Sequence, residues 1–115
     1  MDSSILDDVK KIIGVHSTDD DFDQDIIIDI NTVLFALNQM GIGKEGYMVK
    51  DVQDTWADFI KPNEVNLFAL KTWVGLKVKS IFDPPTSAVL AEALEKSIKE
   101  YEWRMYITEN YVGEI

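Results

Sequence analysis

The sequence predicts an all-α fold, a small antiparallel bundle of about four helices with an ordered loop over Gly41–Pro62 and a short extended C-terminal tail. Three observations lead there. Apolar residues recur at spacings of three and four through most of the chain, the period of a helix with one buried side. Helix stops are written into the sequence at Gly14, Gly41 and Asp83-Pro84-Pro85. No internal repeat or low-complexity linker separates the segments, so helices packed around one core are the economical arrangement.

The first helix is predicted over Ser4–Ile13. Ile5, Val9, Ile12 and Ile13 share a face, Ser3 or Ser4 stands at the N-cap, and Gly14 ends the helix. A polar connector, Val15–Asp21, leads to a long amphipathic helix with the stripe Phe22, Ile26, Ile30, Val33, Leu37 and Met40, stopped by Gly41. Ile26-Ile27-Ile28 also has strand character, because β-branched side chains suit a pleated surface. The unbroken helical stripe decides for helix.

From Gly41 to Pro62 the punctuation changes. Gly41, Gly43 and Gly46 open a loop, Tyr47-Met48-Val49 has the composition of a brief strand, and Asp54-Thr55 offers a cap for a turn carrying Trp56 and Phe59. Those two aromatics are expected to pin the loop. Asn63 then offers an N-cap for a helix reaching about Phe82, with Val65, Leu67, Phe68, Leu70, Trp73, Val74, Leu76, Val78 and Ile81 around most of its circumference. Such a helix belongs in the middle of a domain, and at about 1.5 Å per residue it would run about 28 Å.

A residue before proline is pushed out of the α region and proline has no amide hydrogen, so Asp83-Pro84-Pro85 stops this central helix. Thr86 or Ser87 caps the last helix, whose stripe is expected through Leu90, Leu94, Ile98, Tyr101 and Met105. Its outer side carries the i,i+4 pairs Glu92 to Lys96, Glu95 to Lys99 and Glu100 to Arg104. Asn110–Ile115 reads as an extended tail, giving a helical domain over residues 1–109 and a tail over residues 110–115.

Composition narrows the function. At 115 residues with 46% hydrophobic content, the chain fits one domain with a real core. Its net charge of -10, from 21 acidic and 11 basic residues, sets it against nucleic acid phosphates and anionic membrane surfaces. The absence of cysteine removes disulfides, a thiolate nucleophile and cysteine-based metal sites, and fits a reducing compartment. Met1-Asp2-Ser3-Ser4 lacks a basic region followed by an apolar stretch, and no run approaches the roughly 20 apolar residues that span a bilayer. The chain is expected to be neither secreted by a signal peptide nor membrane-spanning.

Residues that could carry chemistry do not assemble into a site. Asp19-Asp20-Asp21-Phe22-Asp23-Gln24-Asp25 invites a calcium loop, but a loop starting at Asp19 puts Gln24 where glycine is needed and Ile30 where the bidentate glutamate belongs. Starting at Asp21 fails likewise, at Ile26 and Thr32. These carboxylates are therefore expected to cap the second helix and complement its positive N-terminal dipole. His16 has no serine or cysteine motif beside it, and general-base work needs a positioned partner. Asp7 and Asp8 are adjacent on a helix and do not face each other. Gly41-Ile42-Gly43-Lys44 lacks the phosphate-loop spacing and the Ser or Thr after the lysine. No catalytic residue, metal ligand or cofactor is predicted.

What stands out is apolar surface on the wrong faces. Ile28 and Phe35 lie opposite the Ile26-Ile30-Val33-Leu37 stripe, and Trp103 and Ile107 share a side of the last helix otherwise held by Glu95, Lys96 and Lys99. Aromatic residues are enriched in binding hot spots, so both pairs are candidate protein interfaces, with coverage by neighbouring loops as the plain alternative.

The order of segments resembles the head-tail connector family, the adaptor or head-completion proteins of long-tailed bacteriophages and prophages. The resemblance rests on Phe22-Asp23-Gln24-Asp25-Ile26 leading to Ile30-Asn31, on Leu37-Asn38-Gln39-Met40-Gly41, and on Thr55-Trp56-Ala57-Asp58-Phe59. It is strongest at Ala69-Leu70-Lys71-Thr72-Trp73-Val74-Gly75-Leu76-Lys77-Val78, then Phe82-Asp83-Pro84-Pro85-Thr86-Ser87 and Glu100-Tyr101-Glu102-Trp103-Arg104, and it runs to about Met105.

The resemblance implies a structural subunit without enzymatic activity that assembles as a ring, usually of twelve copies, beneath the portal protein of a filled capsid. The ring would continue the DNA channel without sequence-specific binding, meet a tail-side stopper or completion protein, and sit in the virion neck after assembly in the bacterial host cytoplasm. The tail, with Tyr111 and Ile115, would serve as an added strand or an insertion into the portal. Two readings compete with this one: a monomeric acidic regulator that mimics DNA charge to occupy a basic partner, and a metal-dependent enzyme with a divalent ion at Asp19–Asp25.

Overall fold

A computed structural model describes residues 3–106. Five helices follow one another: α1 (Ile5–Ile13), α2 (Asp23–Gln39), α3 (Trp56–Phe59), α4 (Leu67–Phe82) and α5 (Ala88–Arg104). The fold is all-α, and α3 is a single turn inside the loop expected to be ordered. α4 is the strut: α1, α2 and α5 each pack on it, whereas α5 makes no comparable contact with α1 or α2. Leu70, Trp73, Val74 and Val78 of α4 are buried among Ile5 and Val9 of α1 and Ile26, Ile30 and Leu37 of α2.

Local signals set most of the helix ends. Ser4 accepts a hydrogen bond from the Asp7 amide, and Gly14 closes α1 in the left-handed conformation with its amide returned to the Lys10 carbonyl. Ser87 accepts from the Leu90 amide to start α5, and Asp83 ends α4 before the two prolines. Where α1 crosses α4 the backbones come close, because a Cβ on Gly75 would lie 2.5 Å from Ile12 Cδ1.

α4 begins later than expected. Its N-cap is Asn66, which accepts from the Ala69 amide, while Asn63 adopts the left-handed φ of 68 within a turn. Asparagine suits both positions, since it caps helices and also tolerates the left-handed region. A long-range contact selects Asn66: its amide donates to the Met105 carbonyl, 2.8 Å away beyond the end of α5. The helix is thereby 16 residues, about 24 Å.

Tyr47-Met48-Val49 forms no strand. Asn31 of α2 takes the place of a partner strand, donating through Nδ2 to the Val49 carbonyl at 3.0 Å and accepting the Val49 amide at 2.7 Å. Trp56 and Phe59 do pin the loop. Trp56 is fully buried with Nε1 donating to Asp8 at 2.8 Å, and the Phe59 ring lies over Gly43, whose positive φ and missing side chain permit that approach. Asp54 organises the preceding turn by accepting from the Tyr47 hydroxyl and from the amides of Lys50 and Asp51.

The acidic run before α2 does not cap it. The N-cap position is Phe22, with no side-chain hydrogen bond, and Asp23 and Asp25 occupy the first turn, where they still complement the dipole. Asp23 instead reaches Lys10, a buried lysine on α1, and Asp19 turns back to accept the Asp21 amide. The competing partner was a charge on another helix, invisible to local pattern.

α5 also departs from expectation. Only Ile98 within the helix is buried, followed by Met105 just beyond its end, and every residue from Thr86 to Ala93 is exposed. Leu90, expected on the packed stripe, is 60% exposed. The turn Asp83–Ser87 sets the first turns of α5 away from α4, so Leu90 and Leu94 line an open groove with Lys79, Pro84 and Pro85. Glu92–Lys96 and Glu100–Arg104 approach to 3.8 and 3.4 Å; Glu95–Lys99 is not among the ion pairs of the described residues.

Candidate functional site

Three of the six residues singled out from sequence as interface candidates lie within the described part, and all three are exposed. Ile28 and Phe35 on α2 are each 63% exposed and Trp103 on α5 is 64% exposed. No neighbouring loop of the described residues covers them. Ile107, Tyr111 and Ile115 lie outside the described residues.

The α2 face has a defined chemistry. Ile28, Thr32 and Phe35 occupy successive turns on the side turned from the core. Thr32 donates its hydroxyl to the Ile28 carbonyl at 3.0 Å, so its polar group is satisfied within the helix. The clasp between Asn31 and Val49 holds exposed Met48 alongside. No charged residue occurs from Ile30 to Gly43, a gap conspicuous in a chain of net charge -10. Acid returns only at the N-terminal rim, where burial, helped by the neighbouring Asp25, pushes the Asp29 carboxyl above its usual range.

The second face belongs to α5 and the first turn of α4. Val89, Lys96 and Trp103 stand seven residues apart on the outer side of α5, and Val89 is 77% exposed. Phe68, 71% exposed, meets Tyr101 edge to face with ring centroids 6.4 Å apart. From Pro84 to Ala91 the chain again carries no charge. Val89 was legible in the sequence, since it shares a side with Trp103. Leu90 and Phe68 were not, because helical period assigns both to packed positions.

Because α2 and α5 each pack on α4 and not substantially on each other, the two apolar faces lie on different flanks of the strut. Charge is uneven around them: 13 of the 21 acidic residues but only 4 of the 11 basic ones fall in residues 1–60. The arrangement suits protein contact. His16 Nδ1 is 2.8 Å from Thr18, a local turn contact; Asp7, Asp8 and Ser17 line the same surface hollow, but none of them is hydrogen-bonded to the ring. Among the described residues no three His, Cys, Asp or Glu side chains gather where they could hold a metal ion, and Asp23 is occupied by Lys10. No described helix is long and apolar enough to cross a membrane.

A small all-helical subunit with charge-poor apolar surface on two flanks is the kind of protein that functions as a part of an assembly. The chain belongs to the phage connector protein family, a structural family of phage head-tail connectors, whose sequence model matches residues 5–112. The match runs past Met105 into the segment set apart as a tail. No curated protein and no solved structure matches the chain significantly.

Proposed function

We propose that the chain is a ring-forming head-tail connector subunit that docks beneath the portal and links the DNA-filled capsid to the tail, with no catalytic role of its own. The observation that carries the reading is the pair of different apolar faces on different flanks of α4. Contact between unlike faces is heterologous, and repeated around an axis it closes into a ring. Ile28 and Phe35 serve on one flank and Trp103 and Ile107 on the other, with Tyr111 and Ile115 of the C-terminal tail contributing contacts to the portal. Membership of the phage connector family supports a ring, here of twelve copies around the DNA channel, in the virion neck. The negative charge lets DNA pass without adhering.

Multi-angle scattering on the protein alone and mixed with portal, followed by electron micrographs of the product, tests the reading. Rings joined to portal are expected. A single-chain mass under all conditions and no association with portal or tail complexes would remove it.

The concentration of acid in residues 1–60 also favours a second reading, a monomeric DNA-mimic regulator bound to a basic partner. It differs in outcome: replacing Phe35 or Trp103 would leave its function intact.

A further inference from the structure

α5 is tied to the rest of the fold far more lightly than the other long helices. Of the buried apolar residues, only Ile98 and Met105 lie beyond Asp83, so the core formed by α1, α2, α4 and the loop between them draws little on α5. Among the described residues, one hydrogen bond and no ion pair join residues 86–106 to anything earlier: the Asn66 amide donates to the Met105 carbonyl at 2.8 Å. The ion pairs of α5, Glu92–Lys96 and Glu100–Arg104, are both internal to it.

α1 is held quite differently. The Ile5 amide donates to the Asp54 carbonyl at 3.0 Å, Trp56 Nε1 donates to Asp8 at 2.8 Å, and Lys10 reaches Asp23 at 2.7 Å, so α1 is bonded to the loop and to the start of α2 as well as packed on α4. α5 packs substantially on α4 alone. Its attachments are spread along its length. The turn Asp83–Ser87, which has no buried residue, stands at one end, and Ile98 lies in the middle. At the far end is Met105, fully buried, with the Phe68–Tyr101 ring contact one turn before it. A segment with so few buried contacts belongs to the low end of local stability.

We infer that α5 is a latched arm: it opens from α4 as one unit, hinged at Asp83–Ser87 and released at Met105, while α1, α2, α4 and the loop stay folded. Hinge motion of this kind needs only a few loop residues to change φ and ψ. Asp83, Thr86 and Ser87 can do so, whereas the two prolines between them have φ fixed. Opening uncovers Ile98, Met105 and the side of α4 beneath them together, an apolar surface that the closed chain holds in reserve besides Ile28, Phe35 and Trp103. A detached helix of 17 residues is marginal in water, so opening also costs α5 its own backbone hydrogen bonds. The property belongs to the single chain and needs no second copy.

Hydrogen exchange of the full chain in dilute solution, followed by mass spectrometry at rising urea, tests the arm. Peptides from both halves of α5 should lose protection together, at lower urea than peptides from α1, α2 and α4, and with protection about tenfold or more below theirs. Exchange of α5 with the same urea dependence as α4 overturns the inference. So does protection lost stepwise from the helix ends, with no opening common to both halves. Ile98→Ala, which removes the middle contact, should lower the protection of α5 by about tenfold or more again and leave α1 and α2 unchanged. Equal lowering in every helix would make α5 part of the single core, and an unchanged α5 would show that Ile98 does not hold it; either result overturns the arm.

Discussion

Lys10 Nζ lies 2.7 Å from Asp23 Oδ1, and the same ammonium donates to the carbonyls of Ser17 and Asp19 at 3.2 and 2.7 Å while the residue is only 1% exposed. All three donors of the lysine are used. The connector between α1 and α2 is folded over this group, so one buried charge fixes how the acidic run leaves α1 and where α2 begins.

Lys10→Met should therefore be destabilising despite its similar volume. It removes an ion pair, leaves two carbonyls to find water and strips Asp23 of its partner, a loss of about 2–4 kcal/mol by urea unfolding. Asp23→Asn, which keeps an acceptor, should lose less than half as much. Equal stability of the Lys10→Met protein and the parent would show the lysine to be incidental.

Gly75→Ala would place a methyl 2.5 Å from Ile12 Cδ1 and 2.7 Å from its Cγ2. Overpacking of this kind costs about 1–3 kcal/mol. Adding Ile12→Ala should make the second change less harmful than it is alone, a coupling measurable in a double-mutant cycle. Strict additivity would mean that α1 and α4 separate elsewhere to accommodate the methyl.

Asp54 supplies a pH dependence. Burial raises its pKa, but hydrogen bonds from the Tyr47 hydroxyl, the Lys50 and Asp51 amides and the Lys50 ammonium outweigh that and hold it at about 2. A folded-state pKa below the unfolded value means the stabilisation is present above about pH 4 and is lost as pH falls toward 2. The parent should lose up to about 2 kcal/mol across that window from this group, seen as a falling melting temperature. Asp54→Asn should start less stable, because one amide oxygen can take the two backbone N–H groups that share Oδ2 but the NH2 group then replaces the oxygen that accepts from the Tyr47 hydroxyl and the Lys50 ammonium, and it should lose less over the same range.

Phe35→Ala and Trp103→Ala should leave helical circular dichroism and unfolding nearly unchanged, within about 0.5 kcal/mol, since exposed positions contribute little to a fold. Both should impair assembly in a scattering measurement. Loss of the fold in either variant would place that side chain in the core after all.

Calcium should neither bind tightly nor raise the melting temperature. Asp23, one of the five carboxylates of the acidic run, is already engaged by Lys10, and Asp19 accepts the Asp21 amide. Sub-micromolar binding by calorimetry would contradict this.

Much of the fold was written locally. Ser4 and Gly14 bound α1, Ser87 starts α5, the two prolines end α4, and the threefold and fourfold spacing gave the buried stripes of α1 and α2, because caps, stops and periodicity depend on residues within a few positions of one another. The exposure of Ile28, Phe35 and Trp103 was legible for the same reason, as each breaks the pattern of its own helix.

Only the tertiary structure decided the rest, wherever two equivalent local signals compete or a partner lies far along the chain. Asn66 rather than Asn63 caps α4 because Met105 holds its amide; Val49 pairs with a side chain of α2 instead of a strand; Asp23 turns to a lysine thirteen residues earlier. Leu90 has a buried residue's spacing and an exposed residue's surroundings, since periodicity specifies which way a side chain points and not whether anything stands opposite it.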